Sequence, residues 1–299
     1  MYPEFFSATD CAYGHRVCHP QGRRATPNGI LRAHHNEGRA NVDLGIRGKK
    51  AIVCGASKGL GKACAKALAS EGVDVWIAAR TESVLNATAL ELSGLGGEVE
   101  TIVADVTNTA GRDRLFEACP NPDIIVNNAG GPPPGNFRDW GQQEWFDALN
   151  GNMYSAIDMI KRSVDGMVAR KFGRIVNITS VAVKMPVEEL GLSNGARAGL
   201  TGFIAGLARS TDLNGVTINN LLPGMIATDR LAALMDARAD AAGQATDDYM
   251  EAFFSRIPSK RPGDPDEFGA LCAFLCSTQA AYITGQNILM DGGLYPGTF

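Results

Sequence analysis

From Lys49 onward the chain alternates short apolar runs with stretches of helical period. The runs KAIVCG, VDVWIA, VETIVAD, DIIVNNA, GRIVNITS, VTINNLL and QNILMDG are of strand length and rich in β-branched residues. Between them lie segments such as GKACAKALASEG and ARAGLTGFIAGLARS, whose apolar positions recur every three or four residues. Strands apolar on both faces, alternating with helices, predict a doubly wound parallel sheet of about seven strands in a three-layer α/β/α arrangement. No linker or internal repeat interrupts the pattern, so residues 42–299 read as a single domain.

Residues 1–41 follow neither period. They mix Pro, Gly, Arg and His without an apolar stretch, which predicts a disordered extension and excludes a secretory signal. Cys11, His15, Cys18 and His19 carry metal-binding chemistry, but no second ligand pair follows at finger spacing, so no metal site is expected. The ordered pattern opens at VDLGIRGKKAIV, and a valine codon can initiate translation, which makes Val42 a candidate natural start.

Composition narrows the function classes. The 299 residues are 45% hydrophobic and 20% charged, ordinary for a globular protein, with a net charge of −4. Residues 1–41 hold five arginines against three carboxylates, so the rest of the chain is acidic and lacks basic blocks. That argues against a nucleic-acid partner. No apolar run approaches the roughly 20 residues of a membrane helix, so no membrane association is expected. Seven scattered cysteines suit a reducing cytoplasm better than a disulfide framework. All four histidines, His15, His19, His34 and His35, fall in the first 35 residues, so acid–base chemistry elsewhere must use other side chains.

The first strand runs into CGASKGLGKA, which places Gly55, Gly59 and Gly61, with Ser57, Lys58 and Leu60 between them, at a strand-to-helix turn. Glycines let the backbone approach a pyrophosphate, and the helix N-terminus supplies amide donors. This is the sequence context of a Rossmann-type dinucleotide site. A carboxylate ending the second strand would bind the 2′-hydroxyl of NAD. VDVWIAAR ends instead on Arg80, and with Lys58 it suits a 2′-phosphate, which favours NADP over NAD.

The ordered motifs then extend the length of the chain. Asp105-Val106 ends the third strand, NNAG occupies 127–130, and GRIVNITS, LLPGMIATD and ITGQNILMDGG follow in turn. Over about residues 48–293 the sequence resembles the short-chain dehydrogenase/reductase family, nearest its β-ketoacyl carrier-protein reductase-like branch. The resemblance implies that Asp105 and Val106 meet the adenine and that Asn128, Ala129 and Gly130 line the floor beneath the cofactor. It also implies that Pro223, Gly224 and Ile226 to Thr228 contact the nicotinamide. Asn152 matches the helix asparagine that anchors a proton-relay water, and Ser180 the serine that holds the substrate carbonyl. A small carbonyl or alcohol substrate and a homo-oligomer, tetramer or dimer, follow from the same resemblance.

The pattern breaks at LSNGAR. Ser193 stands where the family has its catalytic tyrosine, and Arg197 where it has lysine. The two still share one helix face. Serine is a far weaker acid than a phenol, and its hydroxyl stops about 4 Å short of a tyrosine's. Arginine keeps its charge, so it can stabilise an oxyanion and hold ribose hydroxyls but cannot relay a proton. Lys184, four residues after Ser180, is a candidate acid if it shares a partly dry pocket with Arg197. The proline-stiffened GGPPPGNF would shape one wall of that pocket, whereas Glu188 and Glu189 read as surface charge. GGPPPG, SVxxKxP and LSNxxR together resemble a reductase-like branch with this altered tetrad.

Residues 229–257 occupy the place of the family's mobile lid. Leu231, Leu234, Met235, Met250, Phe253 and Phe254 could there cover an apolar substrate or pack internally. These readings converge on an NADP-dependent oxidoreductase interconverting a ketone and a secondary alcohol. Its rivals are a catalytically silent dinucleotide-binding protein and an enzyme of non-redox chemistry with structural NADP.

Overall fold

A computed structural model describes residues 42–298, so the readings of residues 1–41 as a disordered extension, a metal cluster or an untranslated leader lie outside the described residues. Every predicted apolar run forms a strand. These are β1 Lys50–Cys54, β2 Asp74–Ala79, β3 Val99–Val103, β4 Ile124–Asn127, β5 Gly173–Ile178, β6 Val216–Pro223 and β7 Asn287–Met290. They pair in parallel in the order β3-β2-β1-β4-β5-β6-β7. The expected Rossmann-type sheet is therefore the one found. Strand order reverses between β1 and β4, where a crevice opens beyond the carboxyl ends of the strands.

Side-chain parity along the strands divides the core into two layers. Ala51, Val53, Ile124, Val126 and Val176 face α1 (Gly59–Ser70), α2 (Glu82–Leu92) and α9 (Pro265–Cys276). Ile52, Ile125, Ile175 and Ile218 face α3 (Thr109–Ala118), α5 (Ser155–Ala169) and α6 (Gly191–Leu207). Burying both faces leaves no polar alternation, which is why each strand was readable as an apolar run.

At one position in each of four strands the apolar rule fails. Asn127 donates to Asn177 at 2.8 Å, Asn177 to Asn220 at 3.0 Å and Asn220 to Asn287 at 2.8 Å. Each amide sits opposite the next in register, so a buried hydrogen-bonded row ties β4 to β7 beside the crevice. Buried amides are tolerated because the row satisfies them in turn.

The lid region forms α7 (Asp229–Ala242) and α8 (Thr246–Phe254). Leu231, Met235 and Phe254 are buried in one cluster with Ile257, and Leu234, Met250 and Phe253 pack around it. Of the two roles open to these residues, internal packing is the one the structure displays. No described helix is long and apolar enough to cross a membrane.

Candidate active site

The carboxyl ends of the first strands open on a cleft of about 630 Å³. Gly55 and Gly59 both have φ of +58°, a conformation that costs glycine little and other residues more. A Cβ on Gly61 would fall 2.3 Å from the Gly55 carbonyl oxygen, and one on Gly55 2.8 Å from the Asn128 amide. The first turn of α1 has neither a capping side chain nor an acidic residue. Its amide donors and partial positive charge therefore face the cleft, as a pyrophosphate would require.

Most of the predicted cofactor residues meet here. Ser57, Lys58, Leu60, Arg80, Asp105, Val106, Asn128, Ala129, Gly130 and Thr228 line the cleft together with Gly55 and Gly59, while Gly61 is buried behind them. Asn128 Nδ2 donates to the Gly55 carbonyl at 3.2 Å, fixing the floor to the turn. The Asp105 carboxylate accepts from the amide and hydroxyl of Thr107 at 2.9 and 2.8 Å. Lys58 lies 3.7 Å from Asp229, whereas the Arg80 side chain forms no hydrogen bond or ion pair with a described residue. Pro223, Gly224 and Ile226 stand outside this wall. Gly224 donates to the Met290 carbonyl at 2.9 Å, and Ile226 is buried and bridged to Gly263. The residues present fit a dinucleotide: a glycine cradle that side chains would fill, an uncapped helix end and an unpaired cation at the end of β2.

Asn152 sits in a π-helical turn, Asn150–Tyr154, between α4 (Gln142–Leu149) and α5. Such turns redirect side chains and recur at functional positions. Its Nδ2 donates to the Gly130 carbonyl at 3.0 Å, and its Oδ1 is buried without a partner. Behind Asn128 and Ala129 lies a cavity of about 20 Å³, walled in part by Asn152, Asn127, Asn177 and Arg197. That is room for about one water, with polar partners around it.

Ser180 ends β5 with extended backbone, and its Oγ accepts from the Ala182 amide at 3.0 Å. Its own proton stays free to donate. Ser193 and Arg197 do form a pair: Arg197 Nε donates to Ser193 Oγ at 3.1 Å. One terminal nitrogen also donates to the carbonyls of Ile178 and Thr179 at 2.7 and 2.9 Å. Both side chains are buried, and no carboxylate is among the partners of Arg197. Burial, with the charge of Arg230 in second place, lowers the Arg197 guanidinium to about 10, so it is charged at neutral pH. Lys184 is half-buried, with Nζ 5.7 Å from the centre of the Tyr295 ring, and no hydrogen bond joins it to Ser193 or Arg197.

Around the mouth, Glu189 is more than surface charge. Its carboxylate pairs with Arg238 of α7 at 3.0 Å, and its carbonyl accepts from Gly135 of the proline loop at 2.9 Å. Arg230, in the first turn of α7, also lines the cleft, and sequence reasoning passed over it. The signal was faint: an arginine following the ATD segment, indistinguishable from a solvated helix charge.

The comparisons with known proteins agree with this geometry. Residues 55–295 match the family profile described as enoyl-(acyl carrier protein) reductase. The chain is 34% identical over 256 residues to the 3-oxoacyl-[acyl-carrier-protein] reductase FabG of Vibrio cholerae, covering 84% of this chain and 99% of the relative. It is 32% identical to the FabG of Escherichia coli with the same coverage. Among solved structures it is similar to the L-sorbose reductase of Gluconobacter frateurii complexed with NADPH and L-sorbose. The TM-score there is 0.81 at 28% identity, covering 85% of this chain and 99% of the other. YwfH, an NADPH-dependent reductase involved in bacilysin biosynthesis, follows at 0.78 and 29%, covering 84% and 99%. The chain belongs to the short-chain dehydrogenase/reductase family, and within it to the oxidoreductases of FabG type.

Proposed function

We propose that the protein is an NADP-dependent oxidoreductase that interconverts a ketone and a secondary alcohol, with Ser193 and Arg197 in place of the usual acid pair. The observation that carries this reading is the buried Arg197–Ser193 hydrogen bond, placed behind a cleft shaped for a dinucleotide. NADPH-bound relatives of the same fold support the cofactor assignment. Gly55, Gly59, Gly61 and the start of α1 would hold the pyrophosphate, Arg80 and Lys58 the 2′-phosphate, and Asp105 and Val106 the adenine. When bound, NADPH supplies the hydride that reduces the carbonyl carbon.

The chain's own residues handle the oxygen. Ser180 donates a hydrogen bond to it, and Arg197 stabilises its negative charge from a site with little competing water. Arg197 also polarises the Ser193 hydroxyl, whose free proton points the way for protonation. Serine is too short to reach directly, so a water held by Asn152 delivers the proton while Ser193 passes one to that water and is reprotonated from solvent; the polar cavity beside Asn152 supports a water there. Lys184 is the alternative donor, and its position over Tyr295 favours Ser193 instead.

The test follows NADPH absorbance with a panel of ketones and β-ketoacyl thioesters, beside a direct NADPH titration. Turnover is expected, with Ser193→Ala lowering kcat about 100-fold or more and Lys184→Ala changing it little. NADPH binding without oxidation by any carbonyl would establish the silent protein. Loss of turnover on Lys184→Ala alone would move the acid to Lys184.

A further inference from the structure

Two guanidinium groups line one cleft without a carboxylate partner among the described residues. Arg80, at the end of β2, is accounted for by the cofactor. Arg230 is not. Its side chain forms no hydrogen bond or ion pair with a described residue. Asp229, beside it in the chain, is exposed and lies 3.7 Å from Lys58. The arginine is nevertheless held in place. A Cβ on Gly131 would lie 3.0 Å from both terminal nitrogens of Arg230 and 3.4 Å from the carbon between them, so the guanidinium meets the glycine that follows NNAG with its end. Gly131 has an ordinary φ, so its lack of a side chain makes room for the arginine and serves no turn.

Arg197 stands behind the same wall. Asn128 and Ala129 line both the cleft and the small cavity that Arg197 borders. Arg230 is close enough for its charge to oppose that of Arg197. Two like charges converging on a partly dry space repel unless an anion lies between or beside them. Among the described residues, no carboxylate forms an ion pair or hydrogen bond with either arginine.

We propose that the carbonyl substrate carries a carboxylate, and that Arg230 is the residue that selects it. This rests on the reductase reading above and names the substrate class for that site. Arg230 lines the cleft beside Gly131, and a guanidinium can give a carboxylate two parallel hydrogen bonds. The arginine belongs to the first turn of α7, so capture of the anion also fixes the start of the lid.

The experiment compares 2-, 3- and 4-oxo carboxylates with their methyl esters as substrates for NADPH oxidation, in wild type, Arg230→Gln, Arg230→Lys and Gly131→Ala. The wild type is expected to favour one acid over its ester by at least about 10- to 100-fold in kcat/KM, the worth of a charge-assisted hydrogen bond. That ratio should collapse in Arg230→Gln and be partly kept in Arg230→Lys. Gly131→Ala, which keeps the charge and displaces the guanidinium, should lower it as well. NADPH Kd is measured in parallel by fluorescence. A Kd that weakens as much as the ratio falls would assign Arg230 to the cofactor phosphates and overturn the proposal. Efficient turnover of the esters with no preference for any acid would overturn it while leaving the reductase reading intact. If nothing turns over, calorimetric binding of the acids to the NADPH complex decides. Binding lost in Arg230→Gln supports the site, and no binding in wild type overturns it.

Discussion

Arg197 has three neighbours that accept its hydrogen bonds, Ser193 and the carbonyls of Ile178 and Thr179, and none that neutralises it. A lysine at this place could donate to fewer groups at once and would lose its charge more readily when buried. Arginine therefore suits the proposed reaction, in which the oxyanion needs a fixed positive charge. The charge has a limit, because burial and Arg230 bring the guanidinium down to about 10. The active form is the protonated one, so activity is present below that value and is lost as pH rises through it. We expect kcat/KM to be flat through neutral pH and to fall near pH 10. Arg197→Lys starts from a free pKa of about 10.4, well below that of arginine, and meets the same burial, so its fall should come at lower pH. Unchanged pH–rate profiles in that variant would show that the charge at 197 does not enter the rate.

At the scale of elements, α3 and α5 are joined by a buried ion pair that also leans on the cofactor side. Arg112 Nε donates to Asp158 at 2.5 Å, and Arg112 also donates to the carbonyl of Val106, which lines the cleft. Arg162 shares the same carboxylate at 2.8 Å. Burial alone would raise the Asp158 carboxyl, but the hydrogen bonds and charges of Arg162 and Arg112 outweigh it and hold the group below its ordinary value. A depressed carboxylate stabilises the fold above its unfolded pKa. That contribution is lost as pH falls through and below the ordinary carboxylate range. Asp158→Asn should cost about 3–5 kcal/mol at pH 7, since it strands Arg112, and the mutant's deficit should shrink in acid. Urea melts at pH 7 and pH 3.5 would check both, and a deficit that stays constant would remove Asp158 from the acid response. None of this network was legible in the sequence. The strands were, because each is a local apolar run, and so was the glycine turn, because its motif is contiguous. The π-turn holding Asn152 was not. Its register follows from Asn152 reaching Gly130 and Asn150 reaching Thr107, contacts that no local period encodes. The helix face shared by Ser193 and Arg197 was legible, because both fall within α6 at a spacing of four.

Across the whole molecule the charges divide in a way that bears on the cofactor. The chain is acidic overall, yet Lys58, Arg80 and Arg230 all border one cleft, against Asp105 and Asp229. Asp105 is occupied by Thr107, and Asp229 is shared with Lys58. The cleft thus carries one more cation than carboxylate in a chain that is acidic overall, and such an excess attracts anions by an interaction that salt screens. Motif reading could find Lys58 and Arg80 because each belongs to a contiguous segment. It could not find that Arg80 lacks a partner among the described residues, since that depends on what the folded chain places around it. The lack of a partner is what makes Arg80 decisive for the choice between cofactors. A 2′-phosphate would offer it a charge-assisted contact, whereas a 2′-hydroxyl gives it nothing comparable. Arg80→Ala should therefore weaken NADPH about 10- to 100-fold and leave NADH near its wild-type affinity. The wild-type NADPH affinity should also fall with added salt more steeply than that of the variant. Fluorescence titrations of both nucleotides at two ionic strengths would measure this. Equal losses for NADPH and NADH would mean that Arg80 shapes the cleft without reading the phosphate, and the 2′-phosphate would then fall to Lys58 alone.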